Sequence, residues 1–556
     1  MSQTSNSDNS TTSEPTLYED YENWARIERN IEAPKIRVSI NNGVERRIVA
    51  VQEIHPNERI MFIPSSSLIS QSSLNAISED EFHITRNSVN DHEYEIRRAE
   101  YDSIVDVSNI KRMVDESDAW GEWRSDDTVA LFLIAGRKII EECGLPGVLS
   151  LNEVTPSAET APSSPATFQP EDTDLAVCLN SEVVANPVAF NPYSYLHHIS
   201  MLPKSFPSMP LYFEPDELSR LEGTNCHGYT TRIQCQIQSD WERLRSILQA
   251  YDSNWILTME YFTEEMYKWA ISNIFSRSTD FLVEVLLDQE ESCPNSNPRT
   301  MTKVLRVIAP VFDFMNHNFQ SQAYHSMDAS GNISVFNGPD AIQANEEVYL
   351  NYGNFPNEKL LLVYGFTSLP NPFDSVQLYA PIPPSDPLFA IKTNILLNQF
   401  QINHSEPDPL TLKYSLPSTL LTKLRITGVK EEMELLHLVS EHLGSQDDEK
   451  PNKLSFISVE NERDGLKALE YALYNMTRQI ALNLINDDNL SAGALSPSSS
   501  ANVEEKEELD VEEGAKCMKQ KGINHNNAKA LCTVEYQILL VALNEVREHL
   551  SRLDLD

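Results

Sequence analysis

The stretch that decides the fold reads VLRVIAPVFDFMNHN at residues 304–318 and EEVYLNYGNFPNEKLLLVYGFTSLPNPFD at residues 346–374. Each part contains a short polar group inside an apolar run. The polar residues are Asp313, Asn316 and His317 in the first part and Tyr352 with Gly353 in the second. A buried polar side chain without a hydrogen-bond partner is destabilising. Each group is therefore either satisfied within the protein or directed at a ligand.

The order of these groups resembles that in the SET-domain protein methyltransferases. The resemblance rests on the segments Asp313-Phe314-Met315-Asn316-His317, Asn351-Tyr352-Gly353, Asn357-Glu358 with Leu360-Leu361, and Tyr364-Gly365-Phe366 with Asn371-Pro372. In that family the two stretches thread through each other as a pseudoknot beside the methyl donor. The resemblance implies a β-rich SET domain and S-adenosyl-L-methionine as the cofactor.

Composition indicates a soluble globular protein and argues against a nucleic-acid partner. The chain has 556 residues, of which 40% are hydrophobic and 23% charged, and its length predicts more than one domain. No apolar run is long enough to predict a membrane span. The net charge of −40 argues against nucleic-acid binding, which needs a cationic surface. It fits a partner with a basic segment, although solubility explains the charge equally well. We expect a monomer.

Cysteine usage and the first residues favour the cytoplasm or the nucleus. The seven cysteines form no C-x-x-C pair, so neither a zinc site nor a disulfide framework is predicted. The opening residues MSQTSNSDNSTTSEPTLYEDYENW contain no apolar signal sequence and several acidic residues. Secretion and organelle import are therefore not expected.

Residues 18–64 predict a helix followed by strands. The helix covers Tyr18–Arg29, and Ile36, Val38 and Ile40 alternate with polar residues as in a half-buried strand. Further strands are predicted at 47–51 and 59–64, with a turn at 41–43.

The start of this region departs from the SET pattern, which usually has a glycine pair before the strand that ends at Ala50. Here Arg46 and Arg47 occupy the last of those positions, and Gly43 stands earlier. Glycine would let the backbone approach the cofactor closely. Either Asn42-Gly43 makes the turn instead, or part of the cofactor pocket is altered.

The middle of the chain predicts a SET domain split by a helical insert at about 190–275. NPYSYLHHISMLPKSFPSMPLYFEPDELSRLEGT at 191–224 is similar to a segment of the branch typified by the Rubisco large-subunit methyltransferase. Helices are predicted at Thr128–Ile140, Ser239–Ala250 and Thr263–Ser278, the last with Thr263 as its N-cap. Residues 70–125 predict a charged helical or loop region, 141–186 a disordered insert, and 278–302 another insert.

After Pro372 the sequence predicts an all-helical domain. Its helices are expected at 387–398, 418–426, 431–443, 464–485 and 533–553, with an acidic low-complexity segment at 487–515. Its position resembles that of the substrate-binding domain in the same branch. The predicted fold is therefore α+β. It comprises a disordered N-terminus (1–16), a SET domain (17–375) and a helical domain (376–556).

The resemblance also implies site residues, with Tyr352 as the catalytic residue because its hydroxyl would lie near the transferred methyl group. The residues expected to bind the cofactor are Arg277, Asp313, Asn316, His317, Tyr352 and Phe366. The residues expected to line the substrate channel are Phe312, Tyr349 and Tyr364, since aromatic faces attract cations. These aromatic residues could equally belong to the core, which is the favoured interpretation for Phe366.

Individual roles follow from the same resemblance. Arg277 would bind the donor carboxylate, because a guanidinium forks onto a carboxylate; the alternative is a solvated arginine favoured by the helix dipole. Asn316 and His317 would hold the adenine through main-chain groups and the amine through the Asn316 side chain, and Asp313 would fix their loop. The weaker candidates for substrate contact are Tyr193, Tyr195, His197 and His198. No metal is expected at His317, because no further ligands lie nearby at a suitable spacing.

The expected function is S-adenosylmethionine-dependent methylation of lysine in a non-histone protein. The branch also includes an actin-histidine methyltransferase, in which an Asn lies two residues past the cofactor Arg and a Trp precedes the Asp. Here those positions are Thr279 and Phe312, which favours lysine. The other alternative is a catalytically weak SET-like scaffold that binds a partner, which Arg46 and Arg47 motivate. No G-x-G-x-x-G, P-loop or G-x-S-x-G motif competes with these readings.

Overall fold

The structure, a computed structural model, describes most of the chain. The described residues are 14–41, 45–70, 125–143, 145, 177–178, 192–250, 260–286, 300–413, 416–444, 454, 456–493 and 508–555. The chain divides into two compact units, one formed by residues 1–205 and 236–354 and the other by residues 206–235 and 355–556. None of the helices described is both long and apolar enough to cross a membrane.

The architecture is α+β, as predicted. The helices are α1 (Glu14–Ile27), α2 (Ser125–Cys143), α3 (Leu196–Met201), α4 (Pro215–Leu218), α5 (Asn225–Ala250), α6 (Glu264–Arg277), α7 (Asn357–Lys359), α8 (Phe389–Phe400), α9 (Ser418–Gly428), α10 (Glu432–Gly444), α11 (Val459–Gly493) and α12 (Glu508–Leu553). The strands are β1 (Ile36–Asn41), β2 (Glu45–Ala50), β3 (Arg59–Ile63), β4 (Ile69–Ser70), β5 (Val177–Cys178), β6 (Ser278–Leu286), β7 (Thr300–Ile308), β8 (Tyr324–Met327), β9 (Ile333–Phe336), β10 (Val376–Leu378) and β11 (Asp408–Leu410).

Small sheets organise the first unit. β1 and β2 form an antiparallel hairpin in which Ile36 faces Ala50. β3 pairs with β9 and β9 with β8, both antiparallel, so that Met61 faces Val335. The remaining sheet has the order β4-β7-β6-β5, with β5 parallel to β6. Strands from the beginning of the chain therefore pair with strands from far along it.

The three N-terminal strands and the preceding helix confirm that the predicted elements exist. The helix begins at Glu14 rather than Tyr18, so the prediction of disorder over residues 1–16 is wrong at 14–16, and residues 1–13 lie outside the described residues. The predicted turn lies partly at residues 42–44, outside the described residues. The predicted region at 70–125 also lies outside them, as does most of the insert at 141–186. Within that insert the prediction of disorder is wrong at Val177–Cys178, which pair with β6.

The prediction of an insert at 278–302 is wrong at both of its ends. Residues 278–286 and 300–308 are β6 and β7, which form an antiparallel hairpin. The pattern in β6 alternates, because Phe281 and Val283 are buried whereas Leu282 is 45% exposed. Such a period of two is typical of a half-buried strand and was present in the sequence.

Helix α1 packs against α3 and β1 in the first unit. Tyr21 and Trp24 are fully buried, and Trp24 Nε1 donates a hydrogen bond to the Ser194 carbonyl at 3.1 Å. The imidazole rings of His197 and His198 stack against Trp24 at centroid distances of 6.1 and 6.4 Å. Both histidines are buried, as is Tyr195, and their contact with a substrate stays a prediction.

Threonine caps define the starts of the two long insert helices. The Thr263 Oγ1 accepts a hydrogen bond from the Met266 amide at 3.2 Å, which confirms Thr263 as the N-cap of α6. Helix α5 begins earlier than predicted. Thr224 Oγ1 accepts from the His227 amide at 3.3 Å and so satisfies one of the amides that a helix leaves free at its first turn.

The second unit is built mainly from helices, as predicted. Its largest apolar cluster is lined by residues that include Leu420, Leu466, Leu473, Ile538 and Leu543. Residues 355–375, which the sequence analysis placed in the SET domain, belong to this unit. The predicted low-complexity segment is helical at both ends, because α11 continues to Gly493 and α12 starts at Glu508. Glu, Lys and Ala residues there favour a helix, and residues 494–507 lie outside the described residues.

Candidate active site

The loop that carries the polar motif starts from a strained residue. Val311, which follows β7 and precedes a 3₁₀ turn at Phe312–Phe314, has a φ of 72°. A β-branched residue rarely adopts this left-handed conformation. The Val311 amide donates a hydrogen bond at 3.0 Å to the hydroxyl of Tyr21, which is buried in α1. Helix α1 thus holds the backbone at the entrance to the loop.

A buried ion pair links this loop to α6. Arg277 Nη1 donates to the Asp313 carbonyl at 2.9 Å and approaches its Oδ2 at 3.3 Å, and the Asp313 carboxylate has no exposed surface. His198 Nε2 lies 3.7 Å from the same Oδ2. Burial lowers the pKa of His198, against the attraction of Asp313, so the ring is neutral near pH 7.

Asn316 joins the loop to two other segments. Its Nδ2 donates to the Arg46 carbonyl at 3.1 Å and to Glu347 Oε1 at 2.8 Å, while its backbone carbonyl accepts from the Leu350 amide at 2.9 Å. Both amide hydrogens are therefore engaged by protein acceptors. The side-chain oxygen is the atom whose chemistry suits an ammonium ligand.

Residues 346–350 run between β2 and the loop. The Val348 amide donates to the Ile48 carbonyl at 2.8 Å on one side, and Leu350 bonds to Asn316 on the other. Residues 346–350 therefore connect the motif loop at Asn316 to β2, the strand that departs from the SET pattern.

His317 and Tyr352 are hydrogen-bonded neighbours within this arrangement. The Tyr352 amide donates to His317 Nδ1 at 3.1 Å, so the neutral ring carries its proton on Nε2. Burial lowers the pKa of His317 and maintains this neutral form. The Tyr352 hydroxyl donates to the Met315 carbonyl at 2.7 Å. The loop thus fixes both the backbone and the phenol of Tyr352.

The predicted aromatic residues are distributed over both units. In the first unit Phe312 is 3% exposed and its ring lies 5.2 Å from that of His325, whose pKa burial lowers to about 4. The Tyr349 hydroxyl donates to Glu347 Oε2 at 3.0 Å. Tyr364 and Phe366 belong to the second unit, with their ring centroids 6.2 Å apart. Their contribution to a channel or cofactor site stays a prediction.

The structure thus brings Arg277, Asp313, Asn316, His317 and Tyr352 together in one unit. The functional roles of these residues stay predictions. Sequence reasoning missed two residues that support them, Tyr21 and Glu347, and it identified Arg46 only as a departure from the glycine pattern. Tyr21 carried a weak signal, since it stands one helical turn before Trp24. Glu347 carried none, because a glutamate before a strand is common and only the fold turns it towards Asn316.

Comparisons with curated proteins give distant relatives of two kinds. The chain is 24% identical over 269 residues to an actin-histidine N-methyltransferase of Gallus gallus, which covers 46% of this chain and 40% of that protein. It is 29% identical over 213 residues to a ribosomal lysine N-methyltransferase of Schizosaccharomyces pombe, with 37% and 34% covered. The aligned part spans less than half the length of either relative. No protein-family profile matches the chain.

Comparisons with solved structures cover nearly the whole chain. The SET domain of LSMT bound to lysine and AdoHcy gives a TM-score of 0.60 at 17% identity, over 98% of this chain and 94% of that one. Rubisco LSMT bound to AdoMet gives a TM-score of 0.58 at 16% identity, over 97% and 93%. These likenesses confirm the predicted fold, including its helical C-terminal region.

Proposed function

We propose that this chain, which has the SET-domain fold of Rubisco LSMT, is an S-adenosyl-L-methionine-dependent protein-lysine N-methyltransferase acting on a non-histone protein. One observation carries the proposal. The fold gathers Arg277, the 313–317 loop and Tyr352 into one hydrogen-bonded cluster, although they are far apart in sequence.

The polar atoms of this cluster fit the amino-acid end of S-adenosylmethionine. Arg277 uses Nη1 on Asp313, and its Nε is buried without a hydrogen-bond partner among the described residues. Such a donor suits a carboxylate. The Asn316 oxygen suits the ammonium, because both hydrogens of its amide are already used. When bound, the cofactor supplies a methyl group activated by a sulfonium.

The chain's own contribution to methyl transfer is orientation and exclusion of water. Holding two reactants in line contributes up to roughly 7–11 kcal/mol. The bond from Tyr352 to the Met315 carbonyl fixes the phenol, so that its oxygen can orient the reacting groups without rearrangement. The attacking lysine must be neutral, and burial of an amine lowers its pKa and favours that form.

Histidine is the second candidate acceptor, because relatives from several species are actin-histidine N-methyltransferases. Two observations favour lysine. A ribosomal lysine N-methyltransferase is 29% identical over 213 residues, against 24% over 269 residues for an actin-histidine N-methyltransferase. In addition, Phe312 and Thr279 replace the residues associated with the histidine acceptor, and Phe312 packs against buried His325.

We also propose that the substrate presents a basic segment and that the enzyme acts as a monomer in the cytosol or nucleus. The net charge of −40 supports the first point, because an acidic field attracts Lys- and Arg-rich segments and speeds association. The hypothesis of a catalytically weak scaffold is less well supported. The Arg46 carbonyl still bonds to Asn316, so the altered turn stays connected to the motif loop.

Methyl labelling tests the function and the acceptor together. The protein is incubated with methyl-labelled S-adenosylmethionine and a cell extract, and the labelled protein and residue are identified by mass spectrometry. We expect methyllysine, and labelling that the Tyr352→Phe variant strongly reduces. Detection of methylhistidine instead would show that the acceptor is histidine and not lysine. The proposal that the chain is a methyltransferase would be refuted if no protein were labelled and calorimetry showed no binding of the donor at sub-millimolar concentration.

A further inference from the structure

Two arginines in the first unit interact electrostatically with one carboxylate. Arg277 is paired with Asp313, and Arg46 in β2 is partly buried within electrostatic range of both. Burial, followed by repulsion from Arg277, lowers the pKa of Arg46. Two guanidiniums therefore face a single buried carboxylate in this cluster.

Three nearby titratable groups, His198, Tyr21 and Glu347, do not supply the missing negative charge. Burial lowers the pKa of His198 and raises the pKa of Tyr21, so both are neutral near pH 7. Glu347 lies 3.9 Å from Arg47 and accepts from Asn316, so it serves other groups. The cluster retains one positive charge in excess, and a buried charge without a counter-charge is costly.

The excess charge coincides with unused hydrogen-bond donors. Within the part of the chain that the structure describes, Nε of Arg46 and Nε of Arg277 are both buried without a hydrogen-bond partner. A planar carboxylate has two oxygens and can accept from two guanidiniums at once. The Asn316 amide, which bonds to the Arg46 carbonyl, lies beside this pair of arginines.

We propose that Arg46 acts with Arg277 to bind the carboxylate of the donor's amino-acid moiety. This inference rests on the proposed function and extends it to a residue that stands where a glycine was expected. The arginine in place of the expected glycine would then change how this segment binds the cofactor. A side-chain donor replaces the close approach that glycine would allow.

Calorimetric titration of the full chain with two ligands tests this assignment. One ligand is S-adenosylmethionine and the other is decarboxylated S-adenosylmethionine, which lacks only the carboxylate. Arg46→Gln should weaken binding of the first about tenfold or more, because a charge-assisted hydrogen bond is lost. Its affinity for the second should change by less than about twofold.

Arg37→Gln is the matched control, since Arg37 is an exposed arginine in the same β1–β2 hairpin. It should leave both affinities unchanged. Arg46→Lys keeps the charge but loses the fork, so its affinity for S-adenosylmethionine should fall between those of the wild type and Arg46→Gln. This second variant carries the test if Arg46→Gln does not fold.

Three results would overturn the assignment. Unchanged affinity for S-adenosylmethionine would remove any role for Arg46. Equal weakening for both ligands would show that Arg46 supports the site as a whole. Tighter binding would show that Arg46 blocks the site in the free protein. Failure of the proposed function is distinguishable, because the wild-type chain would then bind neither ligand.

Discussion

At the residue scale, Tyr352 is held by three features of the motif loop. Its amide bonds to His317, its hydroxyl bonds to the Met315 carbonyl, and its ring centroid lies 5.1 Å from that of His317. A side chain fixed in this way loses little conformational entropy when a substrate arrives. Such preorganisation is what an orienting residue needs.

Tyr352→Phe should therefore separate turnover from binding. The variant keeps the ring but removes the hydroxyl that orients the reacting groups, so we expect methyl transfer to slow about a hundredfold. Affinity for S-adenosylmethionine should change by less than about threefold. Single-turnover methylation and calorimetry measure the two quantities. An unchanged rate, or losses of equal size in rate and affinity, would remove the orienting role.

The sequence could reveal the motif residues but not their supports. Short polar groups in apolar runs drew attention to Asp313, Asn316, His317 and Tyr352, but only the resemblance of their order to the SET-domain motifs assigned them to a site. Their supporting partners, Tyr21 and Glu347, act through tertiary hydrogen bonds across some 290 and 31 positions. No local pattern encodes such pairs, so only the fold identifies them.

At the scale of elements, helix α6 is tied down at both ends. Thr263 caps its first turn and Arg277 anchors its last turn to Asp313. The middle of the helix is buried through residues such as Tyr267, Ala270 and Ile274. The position of the guanidinium therefore depends on the whole helix.

Thr263→Ala should loosen the start of α6. The Met266 amide would lose its acceptor, which costs about 1 kcal/mol and corresponds to about fivefold faster local exchange. Hydrogen exchange of peptides that cover residues 263–277 measures the effect. Thr263→Ser retains the hydroxyl and should behave like the wild type. Equal exchange in the alanine variant would mean that packing alone fixes the end of the helix.

Most elements were predictable, and the exceptions have physical causes. The alternation of β1 and the caps of α6 are local signals, and they identified those elements correctly. β6 was missed because the polar segment that follows it led to the prediction of one continuous insert over 278–302, despite the period-two pattern of the strand. The early start of α12 was missed because its first residues are rich in Glu and Lys. Such a composition is typical of disordered segments, but the same residues also have a high helix propensity.

At the scale of the whole molecule, buried acids in the second unit couple stability to pH. Glu535 is 1% exposed, and burial together with repulsion from Glu358 raises its pKa well above the usual range. Burial raises the pKa of Glu358 from 4.5 to about 7. Both acids are protonated more readily in the folded chain than in the unfolded chain. The contribution of Glu358 to stability is present below about pH 4.5 and is lost as pH rises through 7. The contribution of Glu535 is likewise lost as pH rises.

Glu358→Gln should consequently stabilise the second unit at alkaline pH. The amide stays neutral, so it avoids the cost of burying a charge. That cost is about 3 kcal/mol at most, since one pKa unit is about 1.4 kcal/mol. Denaturant unfolding at pH 8 should show the gain, and at pH 4.5 it should vanish. Glu548→Gln, on an exposed part of α12, is the control. A gain of equal size at both pH values would argue against titration of Glu358.

The whole-molecule division was only partly visible in the sequence. Composition and the run of amphipathic helices indicated a second, helical domain after residue 375. The structure adds residues 206–235 and 355–375 to that unit. Those segments join it through packing, for example between Phe213, Leu221 and Leu361. Contacts between apolar residues that are distant in sequence do not change the composition of either segment. The boundary between the two units could therefore not be predicted from composition.

The pairing of β3 with β9 also has a consequence for how the chain is made. Met61 leaves the ribosome roughly 270 residues before its partner Val335, which at about 5–20 residues per second is a delay of roughly 15–55 s. During that time β3 has an open edge, and Val311, which needs the Tyr21 hydroxyl, has not been synthesised. The time at which the first unit can finish folding is therefore limited by the rate of translation. A chaperone that shields residues 14–70 during this interval would protect the open edge of β3.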